Sequence, residues 1–184
     1  MKIWKFSLLL LVITLTSCGA QKNTAAHQQQ IAPERQQSYA ALPDFYDPDE
    51  ETIEELAEET FNIVDYAYQF LGTSYKYGGT TTQGMDCSGL VYTCFLENNI
   101  ELPRSSRDMA LLGEQLDLPQ VRTGDLLFFK TDRRKKNINH VGLVVQLDDD
   151  KILFIHSSTS RGVIISALEE TYWREHFVMA RRIL

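Results

Sequence analysis

"HVGLVVQLDDDKILFIH", residues 140–156, sets two runs of β-branched and aromatic side chains around Asp148-Asp149-Asp150. Runs of that kind flanking a turn-forming cluster predict an antiparallel hairpin, since alternate side chains of a pleated strand share a face. With the turn centred on Asp149, position 140 faces 158 and position 142 faces 156. His140 and His156 are then diagonal neighbours on one face, about 7–8 Å apart.

Outward from the hairpin, "DLLFFK" (125–130), "GVIISA" (162–167) and "VMARRIL" (178–184) are strands of the same character, separated by turn formers such as Ser160-Arg161-Gly162. Upstream the period becomes helical. Ile53, Leu56, Ala57, Val64, Ala67, Tyr68 and Leu71 recur at three- and four-residue intervals, with Pro48 suited to a helix start and Gly72 to its end. "GTSYKYGGTTTQG" (72–84) reads as a loop or short hairpin. A second helix is expected from near Asp86 to Asn98-Asn99, because Cys87, Leu90, Val91, Cys94 and Phe95 fall on one side. A third is expected over "RDMALLGEQL" (107–116), capped by Ser105 or Ser106. Helices first and strands after them predict an α+β domain with a largely antiparallel sheet, spanning 48–184.

The chain begins with Lys2 and Lys5, an apolar run from Phe6 to Leu15, and Leu15-Thr16-Ser17-Cys18. The run is too short for a bilayer span and has the form of an export signal, residues 1–17. A cysteine at such a cleavage site resembles the bacterial lipobox, which implies lipidation of Cys18 and a membrane anchor. Residues 18–47, poor in bulky apolar groups, are expected to form a flexible tether. The formal charge of −7 disfavours a nucleic-acid partner. The acidic excess is concentrated in 44–59, read as a solvated helix face, and the basic run 133–136 is read as a surface loop.

Cys87 and Cys94 cannot pair if both are helical, because seven residues at about 1.5 Å each exceed the reach of a disulfide. Cys94, on the apolar face, is read as packing. Cys87 lies in the first helical turn, where free N–H groups and the helix dipole favour a thiolate. Of four histidines, His27 falls in the tether and His176 is expected at the surface, leaving His140 and His156. These residues form a nucleophile, a base and an orienting group: Cys87 attacks a carbonyl, His140 moves the proton and His156 holds His140. Zinc held by the same three is the alternative. The chain has no C-x-x-C and no H-E-x-x-H to support it, so neither a metal nor a cofactor is expected.

The ordered blocks "YKYGGTTTQGMDCSGLV", "LPRSS", "RTGDLLFF", "NHVGLVV", "FIHSSTSRGVIIS" and "YWREHFVMARRIL" resemble the NlpC family of bacterial cell-wall cysteine peptidases. Within it they are most similar to the small Spr-type outer-membrane lipoproteins that act as murein endopeptidases. The resemblance implies a papain-like core, with Cys87 as nucleophile, His140 as base, His156 as third polar residue and Tyr75 as a site tyrosine. It also implies that the backbone N–H of Cys87 contributes to an oxyanion hole. Asp86 and Ser88 match a pair that recognises a substrate amine in relatives trimming free stem peptides, and read equally as a helix cap and first-turn charge complement. "DRRKKNIN" before His140 is an insertion relative to the family.

The tether is too short and polar to be the SH3-like domain carried by many stem-peptide trimmers. By analogy this favours cleavage of the D-alanyl-diaminopimelate crosslink of peptidoglycan by a monomer at the periplasmic face of the outer membrane. The alternatives are cleavage of the γ-D-glutamyl-diaminopimelate bond, or a lipoprotein that binds peptidoglycan without turnover.

Overall fold

The computed structural model describes residues 50–132, 134 and 136–184. The signal, Cys18, the tether, His27 and the proposed helix start at Pro48 lie outside these residues. Helix α1 (Glu50–Tyr68) opens with Glu50 and Glu51, which suit the positive end of its dipole. The expected apolar stripe holds only near its end, where Ile63, Val64 and Ala67 are buried. Ile53, Ala57, Tyr68 and Leu71 are exposed, so these four are not core positions. The period was read correctly, but only the last turns of α1 lie against α2, and periodicity alone does not say how much of a helix is covered.

A two-stranded ribbon, β1 (Thr80–Thr81) with β2 (Gly84–Met85), leads into α2 (Cys87–Glu97). Helix α2 runs over the residues expected of it. Asp86 caps its start by accepting from the Gly89 N–H, and Asn98 and Asn99 end it, the latter at φ 61°. Cys87, Leu90, Val91, Cys94 and Phe95 are all buried. Both cysteines are unpaired.

The third helix is a correction. Ser105 caps α3 as expected, but α3 is one turn (Ser106–Met109), and residues beyond Gly113 form strand β3 (Glu114–Leu116). Gly113 sits at φ +65°, and any Cβ there would strike the Arg182 carbonyl. The C-terminal strand offers β3 a full set of backbone partners, Glu114 opposite Arg182 through Leu116 opposite Ala180. Pairing across some 66 residues outweighs the helical propensity of "ALLGEQL".

The remaining strands are β4 (Leu126–Phe129), β5 (His140–Asp148), β6 (Lys151–Ser158), β7 (Gly162–Ala167) and β8 (Phe177–Arg182). A six-residue helix absent from the sequence reading, α4 (Thr171–His176), precedes β8. The sheet is antiparallel throughout, in the order β3-β8-β4-β5-β6-β7. Alternation divides its core. Leu126, Phe128, Val141, Leu143 and Ile155 pack under α1 and α2, whereas Leu127, Phe129, Val144 and Phe154 meet Trp173 of α4 on the other face. Gly142 is needed for that second layer, because a Cβ there would collide with the Phe154 ring.

The central hairpin reaches its expected register by an unexpected route. Asp148 faces Lys151 across a two-residue turn, and Val144 faces Phe154, so Val145 is an extra residue in a β-bulge. Beyond the bulge Leu143 faces Ile155, the register obtained by centring the turn on Asp149. Without the bulge the turn's own register would run one residue out and set His140 and His156 on opposite faces. Among the described residues, no helix is long and apolar enough to cross a membrane.

Candidate active site

Cys87 opens α2, and Asp86, immediately before it, is almost entirely sequestered. Its Oδ1 accepts from the Gly89 N–H at 2.7 Å and its Oδ2 from the Gly78 N–H at 2.7 Å. Arg104 Nη1 lies 2.9 Å from Asp86 Oδ1 and donates to Ser88 Oγ at 2.9 Å, while Nη2 donates to the Gly79 carbonyl at 3.2 Å. One guanidinium thus ties the cap, the residue after the nucleophile and the preceding loop together. Arg104 was missed as a site residue. Its only sequence signal was its place in the "LPRSS" block, sixteen residues past Ser88.

Cys87 is 8% exposed, and burial is the largest influence on its thiol, pushing the pKa up to about 11. The backbone N–H of Val141 pulls in the other direction, and those of Ser88 and Cys87 add to it. The helix-start expectation is therefore right in sign for the helix amides and overruled by desolvation. Near pH 7 the Cys87 side chain is a thiol. Cys94, with no exposure, is core packing as expected.

His140 and His156 belong to the α4 face of the sheet, opposite the face that α2 covers. His140 is the first residue of β5, and its neighbour Val141 supplies the amide acting on Cys87, so Cys87 lies beside the start of β5. His140 Nε2 lies 3.1 Å from His156 Nδ1, and His156 Nε2 lies 3.1 Å from Ser166 Oγ. His140 Nδ1 is the ring nitrogen that lies outside this chain of contacts. Ser166 was also missed. Since His156 faces Ile164, Ser166 is its diagonal neighbour, and a lone serine on the buried face of "GVIISA" was the available signal.

Aromatic rings enclose the pair. Trp173 lies 5.3 Å from His140, nearly parallel at 21°, and 4.6 Å from His156 at 71°, with Phe129 and Phe154 behind. Burial lowers the pKa of His140 to about 4 and, with the charges of His140 and Arg161 adding to it, that of His156 to about 3. Both imidazoles are neutral near pH 7, the form a general base requires.

A cleft of about 650 Å³ opens onto Cys87, lined by Tyr75, Asp86, Ser88, Arg104, Arg107 and Lys136 among others. Tyr75 is half-buried there and bridged to Met85, while Tyr77 is 88% exposed. His176, expected at the surface, is half-buried and bonded to the Tyr172 carbonyl, away from the cleft. No three metal-binding side chains converge among the described residues.

With this geometry in view, a family model described as the NlpC/P60 family matches residues 72–182. "Murein DD-endopeptidase MepS/Murein LD-carboxypeptidase" of Escherichia coli K12 is 32% identical over 176 residues, 94% of this chain and 87% of that protein. "Probable endopeptidase NlpC" of the same organism is 41% identical over 120 residues, 65% of this chain and 75% of that protein. The crystal structure of an NlpC/P60 family protein from Bacillus cereus superposes with a TM-score of 0.60 at 32% identity, covering 68% of this chain. This chain spans only 40% of that solved protein.

Proposed function

Because the chain belongs to the NlpC/P60 family of cysteine-type peptidases, we propose that it hydrolyses the D-alanyl-diaminopimelate crosslink of bacterial peptidoglycan. What supports the reading is a capped, helix-start Cys87 that opens onto a cleft and takes a backbone hydrogen bond from Val141, the residue after His140 of the His140–His156–Ser166 chain.

Cys87 Sγ attacks the carbonyl carbon of the crosslink as its proton passes to His140 Nδ1. The new C–S bond makes a tetrahedral oxyanion, stabilised by the Cys87 N–H at the start of α2. Collapse breaks the C–N bond, and His140 returns the proton to the departing amine. Water, deprotonated by His140, then cleaves the thioester and restores the thiol. His156 and Ser166 fix the ring of His140, and the Tyr75 hydroxyl lines the acyl side. Since both members of the resting pair are neutral, proton transfer accompanies attack.

Two features favour the crosslink over the γ-D-glutamyl bond of free stem peptides. Asp86, the residue that would meet a substrate ammonium, already holds Arg104 and two backbone N–H groups, so no uncompensated charge is left for an amine. With Arg104 paired to Asp86 and Arg107 to Asp108, Lys136 adds a further positive charge to the cleft lining, suiting a peptide that carries carboxylates. The reading further places the enzyme in the cell envelope as a monomer held by lipid on Cys18, at the periplasmic face of the outer membrane.

The test is mass spectrometry of products from purified crosslinked peptidoglycan, with Cys87→Ala in parallel. Dimeric muropeptides become monomers with the wild-type enzyme alone. Truncated stems with crosslinks retained would replace this reading by γ-D-glutamyl cleavage, and binding without release by either protein would leave a binding module.

A further inference from the structure

A second cavity, of about 270 Å³, opens onto His140 and does not include Cys87. Its lining includes Thr131, Ser158, Arg161, Glu170 and Trp173. The first cavity takes Asn139 and the second takes His140, consecutive residues whose side chains leave a strand on opposite sides. The two cavities therefore flank the start of β5. Thr131 and Asn139 bond to each other at 2.9 Å in both directions and join the two linings.

The chemistry assigns a half of the substrate to each cavity. The acyl fragment becomes attached to Cys87 and must lie in the first. The departing amine takes its proton from His140, so the fragment bearing that amine extends into the second. In the crosslink proposed above, the carbon carrying this amine also carries a free carboxylate. At the γ-D-glutamyl bond the corresponding carboxyl is tied up in the next amide.

Arg161 fits that carboxylate. It lies in the turn between β6 and β7, lines the His140 cavity, and forms no ion pair among the described residues. Its charge is felt at His156, which places the guanidinium on the histidine side of the site. Glu170, the carboxylate in the same lining, accepts the Ala167 N–H at 2.9 Å. Ser158 and Thr131 add hydroxyl groups. We infer that Arg161 binds the free carboxylate adjacent to the scissile amide on the leaving-group side, and so selects crosslinks whose diaminopimelate is a free acid over those in which it is amidated. This rests on the crosslink reading and adds the specificity of its second half.

The experiment compares kcat/KM for two purified muropeptide dimers that differ only in this group, carboxylate or carboxamide, using wild type, Arg161→Ala and Arg161→Lys. A charge-assisted guanidinium–carboxylate pair predicts that wild type favours the acid about tenfold or more. In Arg161→Ala the ratio falls to near one, chiefly through KM of the acid, and Arg161→Lys keeps part of it. Arg161 is exposed, and melting temperatures of the three proteins check that the fold is retained. A wild type that cuts both dimers equally, an Arg161→Ala enzyme that keeps the wild-type ratio, or an equal fall in kcat for both dimers would overturn the assignment while leaving the endopeptidase reading in place. A wild type that cuts neither dimer, while remaining active on free stem peptides, would overturn the crosslink reading and this inference with it.

Discussion

The two halves of the site are held by different physics. On the helix side, Cys87 is placed by a capping carboxylate, a guanidinium with three partners and a row of backbone N–H groups, facing an open cleft. On the sheet side, His140 and His156 are placed by rings, with Trp173, Phe129 and Phe154 around them and one serine as their outer polar partner. The comparison teaches that Cys87 is oriented by hydrogen bonds and an ion pair around its helix start, whereas His140 is oriented by ring packing, although the two are equally buried. Burial also keeps the imidazoles neutral. Damage to the two halves should therefore differ in size and in kind.

The largest effect is expected at Trp173. Trp173→Ala removes a buried ring that touches both histidines, and should lower stability by about 3–5 kcal/mol with a fall in kcat larger than any change in KM. Trp173→Phe should recover most of both. Denaturant midpoints and steady-state kinetics on a dimeric muropeptide check this, and an alanine variant with normal kcat would break the claim that packing aims the base.

Next in size is the pH dependence of stability. His140 and His156 have folded pKa values of about 4 and about 3, below the ordinary histidine value, so the unfolded chain binds more protons than the folded one between those limits. The stabilisation is complete above roughly pH 6.5 and is lost as pH falls toward 4. Cys87 acts at the other end. Its folded value of about 11 means that the unfolded thiol ionises first, so stability also falls as pH rises past the ordinary thiol range. Calorimetric melting temperatures should peak between these limits and begin to drop between about pH 6.5 and 5, above the range in which ordinary carboxylates titrate. A flat profile across that interval would mean that the histidines are not held in a dry enclosure.

The smallest effect is expected on the helix side. Arg104→Ala removes charge-assisted bonds from a guanidinium that is itself partly exposed, and should cost on the order of 1 kcal/mol in stability and about tenfold in kcat/KM. Asp86 keeps its two backbone donors in that variant, so the helix cap survives. A loss as large as that of Trp173→Ala would erase the distinction between the two halves.

Much of this was legible along the chain. Helix α2, its Asp86 cap and its Asn98-Asn99 stop are local events, decided by side chains within one turn of the backbone they satisfy. The strands announced themselves as β-branched and aromatic runs between turn formers, and the shared face of His140 and His156 was read from a turn centred on Asp149, a register that the chain reaches only through the Val145 bulge. Membership of the NlpC/P60 family was carried by blocks in fixed order, because a nucleophile and a base on separate elements need both elements intact. The short β3, Arg104 reaching Asp86, Ser166 behind His156 and Trp173 over both histidines were not legible in this way. Each joins residues far apart in the chain through a distance that the packing sets.

The hairpin shows where the boundary falls. Sequence by itself pointed to Cys87, His140 and His156 and to the elements that bear them, because propensity, capping and turn formation act over a few residues. Tertiary structure alone decided how those elements meet. The turn closes on two residues and the Val145 bulge shifts the register back by one, so the two imidazoles share a face only because β5 pairs with β6 in that form. Register is a relation between strands set by pairing and core packing, and a single extra residue reverses every side chain beyond it.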